Sequence, residues 1–309
     1  MTTQTLLIKP SESDFVYFSI NDAIQQVDSL LLKVVTAQEY TDQAANACLE
    51  AVKYHFAAPG QKVRAKLCLH ACMKLGVNMG DMLILAAVSE LLHNASLIHD
   101  DIQDNDETRR GCASVWKKFG VDIAICAGDL LLSTAYGVLA NYSNPKLLPK
   151  LITTINAQTR AAIEGQSSDI SYKNNQKISL EKYAQIAAKK SGALLSLPIE
   201  MALIASENVE WLETTKKACA NFAVGYQIID DIEDIVKDAG NKNVRQSINI
   251  NFVLKDLGFD KPQHEASLLC QDYLNQVVNY AQQLPKGSGQ FLLRLVETLK
   301  NKLHSASTT

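Results

Sequence analysis

The chain has 309 residues, of which 47% are apolar and 20% charged. That is the composition of a globular protein with ample core material, and it excludes a disordered or collagen-like chain. Lys and Arg total 30 against 33 Asp and Glu, a net charge of −3. No bulk basic field exists to hold nucleic acid or an anionic membrane, so a phosphorylated ligand has to be held by local cations or through metal ions.

Seven cysteines are present, with no C-x-x-C pair. A disulfide framework or structural zinc site is not expected, and a reducing, cytoplasmic compartment is. Cys68 and Cys72 share a helix face while His70 points elsewhere, which reads as core thiols. The N-terminus has no basic stretch leading into an apolar run, so it does not read as a signal peptide. No uncharged apolar run of about 20 residues exists, so no membrane-spanning segment is expected.

The predicted elements are helices throughout. Ser19 with Asp22 forms a capping-box pattern ahead of AIQQVDSLLLKVV. No proline interrupts the stretch between Pro59 and Pro145. Asp81 precedes the apolar run MLILAAVSELLHNASLIH, whose lack of a polar face places it in the middle of the core. Breaks are expected at 105–115 and at Gly120. Ser179 opens LEKYAQIAAKK. Ser206 with Glu207 opens a helix running to 238, with Gly240 as its stop. No linker divides the chain, so 1–309 reads as one all-α domain, with 1–15 and 304–309 as mobile tails.

Two aspartate clusters carry the chemistry. Asp100-Asp101-Ile102-Gln103-Asp104 ends the buried helix, and Asp230-Asp231-Ile232-Glu233-Asp234 lies within the helix ending at 238. Both read D-D-x-x-D. Residues i and i+4 share a helix face, so Asp100 with Asp104, and Asp230 with Asp234, aim the same way. Their mutual repulsion is relieved by a hard cation, and Mg²⁺ favours one or two carboxylates plus substrate phosphates. One such cluster reads equally as a solvated helix end; two, each following an apolar approach, point to a site. Arg109-Arg110 follow the first cluster and suit bidentate phosphate binding, though beside five acids they also read as a salt-bridge network. Lys62, Arg64 and Lys189-Lys190 are further cations. Alone, Lys62 and Lys189 read as solvated side chains, and His93 as a core histidine.

The stretch HNASLIHDDIQDNDETRRG (93–111) resembles the first aspartate-rich motif of the trans-isoprenyl diphosphate synthases, or polyprenyl synthetases, and GYQIIDDIED (225–234) resembles their second. AGDLLL (127–132), GQSSD (165–169) and KSG (190–192) match lesser landmarks, in order. The resemblance spans roughly 45–300. It implies a bundle of long helices around a central cavity, the isoprenoid synthase type I fold, usually as a homodimer. It implies head-to-tail condensation of isopentenyl diphosphate with an allylic diphosphate, with about three Mg²⁺ ions per site stabilising the leaving diphosphate. Asp100, Asp104 and Asp230 match direct metal ligands; Asp101, Asp231 and Asp234 match positions that ligate or support through water. Arg109, Lys190 with its neighbour Ser191, and Gln227 match the reacting allylic diphosphate site. Arg64, His93 and Arg110 match the isopentenyl diphosphate site.

That second site departs from the family's Gly-Gly-Lys-Arg-x-Arg-Pro. This chain reads Pro59-Gly60-Gln61-Lys62-Val63-Arg64-Ala65, with Gln61 at the lysine position. An amide hydrogen-bonds phosphate but adds no charge, so either Lys62 substitutes or affinity falls. The stretch 237–242 departs from the family's Gly-Lys-rich loop. Ala95 and Ser96, about one turn before Asp100, are small, which by the family pattern leaves the product tunnel open beyond farnesyl length; Leu92 and Leu132 are candidates for its floor. Two alternatives remain: a non-catalytic partner subunit of a heteromeric synthase, motivated by Gln61, and a class I terpene cyclase, which also begins with D-D-x-x-D.

Overall fold

The computed structural model describes residues 19–36, 43–172, 177–238 and 248–307. Two compact units emerge, Met1–Thr153 with Ile204–Ser206, and Thr154–Leu203 with Glu207–Thr309. Their division falls inside a helix, so no linker composition marks it.

In the first unit, α1 (Ile20–Thr36) begins on the expected capping box. The Asp22 amide donates to Ser19 Oγ at 3.2 Å, and the Ser19 amide donates to Asp22 Oδ2 at 3.0 Å. Ala23, Val27, Leu30 and Leu31 form its buried stripe, at the spacing a 3.6-residue period dictates. Next come α2 (Gln43–Ala57), α3 (Val63–Leu75) and the central α4 (Met79–Asp104). Every residue of α4 from Asp81 to Leu92 is buried, as an apolar helix without a polar face requires. Its cap is Asn78 rather than Asp81: Asn78 Oδ1 accepts from the Asp81 amide at 2.9 Å. The Asp81 carboxylate instead accepts from the amide and hydroxyl of Ser143 at 2.9 and 2.6 Å.

Helix α4 stops at Asn105, whose φ of 56° leaves the helical region. The expected break at 105–115 is a tight hairpin, β1 (Thr108–Arg109) antiparallel to β2 (Cys112–Ala113), with Thr108 opposite Ala113. Arg110 and Gly111 both have positive φ, 54° and 77°, the signature of a type I′ two-residue turn. Strands this short leave no alternating pattern in the sequence. Short α5 (Val115–Phe119) leads through Gly120 into α6 (Val121–Val138), which packs along α4.

Among the described residues two stretches, Met79–Asp104 and Val121–Asn141, are by length and composition long and apolar enough to cross a membrane. Mean hydropathy stays high although charged residues interrupt each stretch, so neither is an uncharged apolar run. In the first, 78% of the apolar window is buried within the protein, and in the second 39%.

Helix α7 (Leu148–Tyr172) enters the second unit, which continues with α8 (Leu180–Ala187), a π-helical turn at Ala188–Gly192, α9 (Ala193–Ala205), α10 (Leu212–Asp238), α11 (Ile250–Asp256), α12 (Pro262–Ala281) and α13 (Gln290–Ser307). Ser179 caps α8 by accepting from the Lys182 amide at 3.1 Å. Ser206 and Glu207 do not open α10. Glu207 sits at φ 60° in a turn, and a 3₁₀ turn at Val209–Trp211 precedes the helix. Helix α10 packs along α12, with α8, α11 and α13 also against it. Residues 304–307 continue α13 rather than forming a tail, held by bonds such as Ser305 Oγ to the Asn301 carbonyl at 3.1 Å. Gly240 and the rest of 239–242, and residues 1–15 and 308–309, lie outside the described residues.

Candidate active site

In the first unit, the last turn of α4 carries Asp100 and Asp104, both part-exposed. Asp101, one residue on, faces inward and is fully buried. The hairpin folds Arg109 back onto it: Arg109 Nε donates to Asp101 Oδ1 at 2.8 Å, and Nη2 donates to the same oxygen. Burial pushes the Asp101 carboxyl up, and the Arg109 charge only partly offsets it. Asp101 Oδ2 has no hydrogen-bond partner among the described residues.

Arg110, held out by the I′ turn, donates from Nη1 to the Ala58 carbonyl at 3.3 Å. Its guanidinium carbon lies 2.9 Å from where a Cβ at residue 60 would sit, so a side chain there would push the Arg110 tip aside. Arg64 Nη1 lies 3.0 Å from His93 Nε2. Burial, then the charges of Arg64 and Arg110, holds the His93 imidazole well below its ordinary range. The start of α3 and the segment before it thus hold Arg64 against His93 and Arg110 against the Ala58 carbonyl. Lys62 is engaged elsewhere: its ammonium pairs with Asp28 of α1 at 2.7 Å and its side chain is only 16% exposed. Gln61 is exposed.

Leu92 and Ala95 are buried on α4, and Ser96, part-buried, donates its hydroxyl to the His93 carbonyl at 2.8 Å. Leu132 is part-buried on α6. The AGDLLL landmark has a steric cause. A Cβ at Gly128 would fall within the His99 ring, so glycine lets α6 approach α4.

In the second unit, a Cβ at Gly165 of GQSSD would collide with the Lys189–Lys190 backbone in the π-helical turn. That close approach brings Lys190 Nζ within 2.6 Å of Asp169 Oδ2. Ser191 is part-buried beside it.

Asp231, in α10, is buried and saturated. It accepts from Tyr183 Oη at 2.8 Å, Gln227 Nε2 at 2.8 Å and the Ile250 amide at 2.7 Å. Burial pushes its carboxyl up to about 7 despite those donors. In this geometry Asp231 ties α8, α10 and α11 together, and Gln227 is turned toward it. Asp230 is part-exposed, with Lys302 of α13 at 3.5 Å; the same ammonium lies 3.0 Å from Glu233. Asp234 is exposed.

The carboxylates of each unit suit a hard divalent cation. In the first, Asp101 keeps one buried oxygen without a hydrogen-bond partner; in the second, a cation, the Lys302 ammonium, stands at Asp230. Among the described residues no three His, Cys, Asp or Glu side chains form a metal cage by themselves.

Asp169, Lys302 and Glu90, whose role is taken up below, escaped the sequence reading as site residues. Each meets its partner across 21 or more residues of chain, and no local spacing signals such a contact.

The fold is that of solved isoprenyl synthases. The structure superposes on the geranylgeranyl pyrophosphate synthetase of Pyrococcus horikoshii with a TM-score of 0.79 at 23% identity, over 89% of this chain and 95% of that one. It matches the corresponding enzyme of the archaeon Geoglobus acetivorans with a TM-score of 0.78 at 21% identity, over 91% and 98%. The polyprenyl synthetase family model matches residues 45–248, and the chain belongs to that family. A short chain isoprenyl diphosphate synthase of Methanocaldococcus jannaschii is 30% identical over 80% of this chain and 76% of its own length. The geranylgeranyl pyrophosphate synthase of Capsicum annuum is 34% identical over 62% of this chain, and the match spans 54% of that relative's length.

Proposed function

We propose that this chain is a Mg²⁺-dependent prenyltransferase that condenses isopentenyl diphosphate head-to-tail with an allylic diphosphate, giving a trans-polyprenyl diphosphate of geranylgeranyl length or longer. The observation that carries this reading lies in the first unit. One helix end presents Asp100 and Asp104, and beside it stands a cationic group of Arg64, Arg109 and Arg110 around a neutral His93. Carboxylates for divalent ions and forks for diphosphate oxygens are the two parts such a reaction needs.

Bound Mg²⁺, about three ions per site, supplies Lewis-acid stabilisation of the departing diphosphate. Asp100 and Asp104 of the first unit, and Asp230 of the second, would serve as its ligands. Asp101 keeps Arg109 aimed at the allylic diphosphate; in the second unit, Lys190 and Gln227 are the donors suited to diphosphate oxygens. Arg64, His93 and Arg110 bind isopentenyl diphosphate, with Gln61 contributing a neutral donor. The buried Leu92 and Ala95 keep water from the carbocation. A homodimer in a reducing, cytoplasmic compartment accords with the family pattern and with free thiols at exposed Cys112 and Cys126.

The test is incubation of the purified chain alone with isopentenyl diphosphate, Mg²⁺ and each short allylic primer, followed by product sizing. Elongated diphosphates are expected, and Asp100→Ala or Asp230→Ala should abolish them while leaving the helical circular-dichroism signal intact. No product with any primer points to a partner subunit, and a cyclic hydrocarbon formed without isopentenyl diphosphate points to a cyclase.

A further inference from the structure

Helix α3 begins without a cap of its own. Its N-cap residue Lys62 is in the left-handed conformation and makes no side-chain capping bond, so first-turn amides need another acceptor. Glu90 of α4 provides one. Its Oε1 accepts from the Ala65 amide at 3.0 Å, in a site where Glu90 is only 2% exposed. A buried carboxylate is costly unless it is hydrogen-bonded or paired, and this one is braced. Asn94 Nδ2 donates to the Glu90 carbonyl at 2.7 Å and lies 3.4 Å from Oε2. Asn94 Oδ1 in turn accepts from His55 Nε2 at 2.9 Å.

The register matters more than the single bond. Glu90 and His93 are one turn apart on the same face of α4. Arg64 and Ala65 are consecutive on α3. Two adjacent residues of one helix are therefore docked to two points on the other, Ala65 to Glu90 and Arg64 to His93. Without the first point, the start of α3 loses one of the two anchors that fix the Arg64 guanidinium beside His93.

We propose that Glu90 is a positioning residue for the isopentenyl diphosphate site, fixing the start of α3 so that Arg64 and His93 meet the diphosphate together without touching it itself. This rests on the functional reading above.

The experiment titrates isopentenyl diphosphate by calorimetry into wild type, Glu90→Gln and Glu90→Leu with no allylic partner, so no turnover intervenes, and then measures KM for the allylic diphosphate. Glu90→Leu is expected to weaken isopentenyl diphosphate about tenfold, with the allylic KM within about twofold. Glu90→Gln keeps an acceptor oxygen and should stay within about threefold of wild type. Proline at 65, the residue the related motif carries there, fixes φ and has no amide to satisfy. Adding Ala65→Pro to Glu90→Leu should therefore restore the affinity, and should restore folding if the single variant lacks it. Unchanged affinity in Glu90→Leu, equal weakening of both substrates, a Glu90→Gln as weak as Glu90→Leu, or a double variant that is still weak or unfolded overturns the proposal. A wild type that fails to bind isopentenyl diphosphate overturns the functional reading instead.

Discussion

Arg64 donates from Nη1 to Nε2 of His93 at 3.0 Å. A guanidinium can only donate, so His93 is neutral and carries its proton on Nδ1. Replacing His93 with Phe removes the acceptor and leaves Arg64 misplaced. KM for isopentenyl diphosphate should rise about tenfold or more. His93→Gln, which keeps an acceptor, should lose less. Because burial and neighbouring charges hold the imidazole well below its ordinary range, this KM should show no histidine step between about pH 6 and pH 8. Steady-state kinetics across that range checks both points.

Gly165→Ala drives a methyl into the Lys189–Lys190 backbone. Overpacking of this kind costs about 1–3 kcal/mol and displaces Lys190 from Asp169. Lower melting temperature and lower kcat/KM for the allylic substrate should appear together. Gly137→Ala, with nothing within 4 Å of the added carbon, is the control and should be neutral or slightly stabilising. Equal behaviour of the two variants would mean that the close approach has no consequence.

Ala95→Phe places an aromatic ring at a buried position of α4 just before Asp100. If the growing chain passes there, products should shorten toward farnesyl length. Mass spectrometry of the product mixture decides it, and an unaltered length distribution would send the tunnel elsewhere.

His55 gives stability a pH dependence of known sign. Burial, then opposed by its bond to Asn94, lowers its pKa to about 4. Unfolded, it takes up a proton near pH 6.5. The stability it supports is therefore full above that value and is lost as pH falls through the folded pKa. From about pH 7 to about pH 5, wild type should lose about 1–2 kcal/mol more than His55→Gln. Urea unfolding of both at the two pH values is the measurement.

Much of this protein is written in local pattern. The capping box at Ser19, the all-round apolar α4, and the two D-D-x-x-D runs follow from side-chain chemistry repeating at helical spacing, which neighbouring residues reveal without a fold. Carboxylates Asp100 and Asp104 share a face for the same reason. Tertiary structure decided which acids remain available. Asp101 is taken by Arg109 through a hairpin too short to leave a sequence pattern, and Asp231 is spent on Tyr183, Gln227 and the Ile250 amide. It also decided that Lys62 pairs with Asp28, that Lys302 stands at Asp230, and that Glu90 caps a helix other than its own. Periodicity tells which way a side chain leaves its helix, but its partner is set by where distant segments pack, and burial then settles its charge.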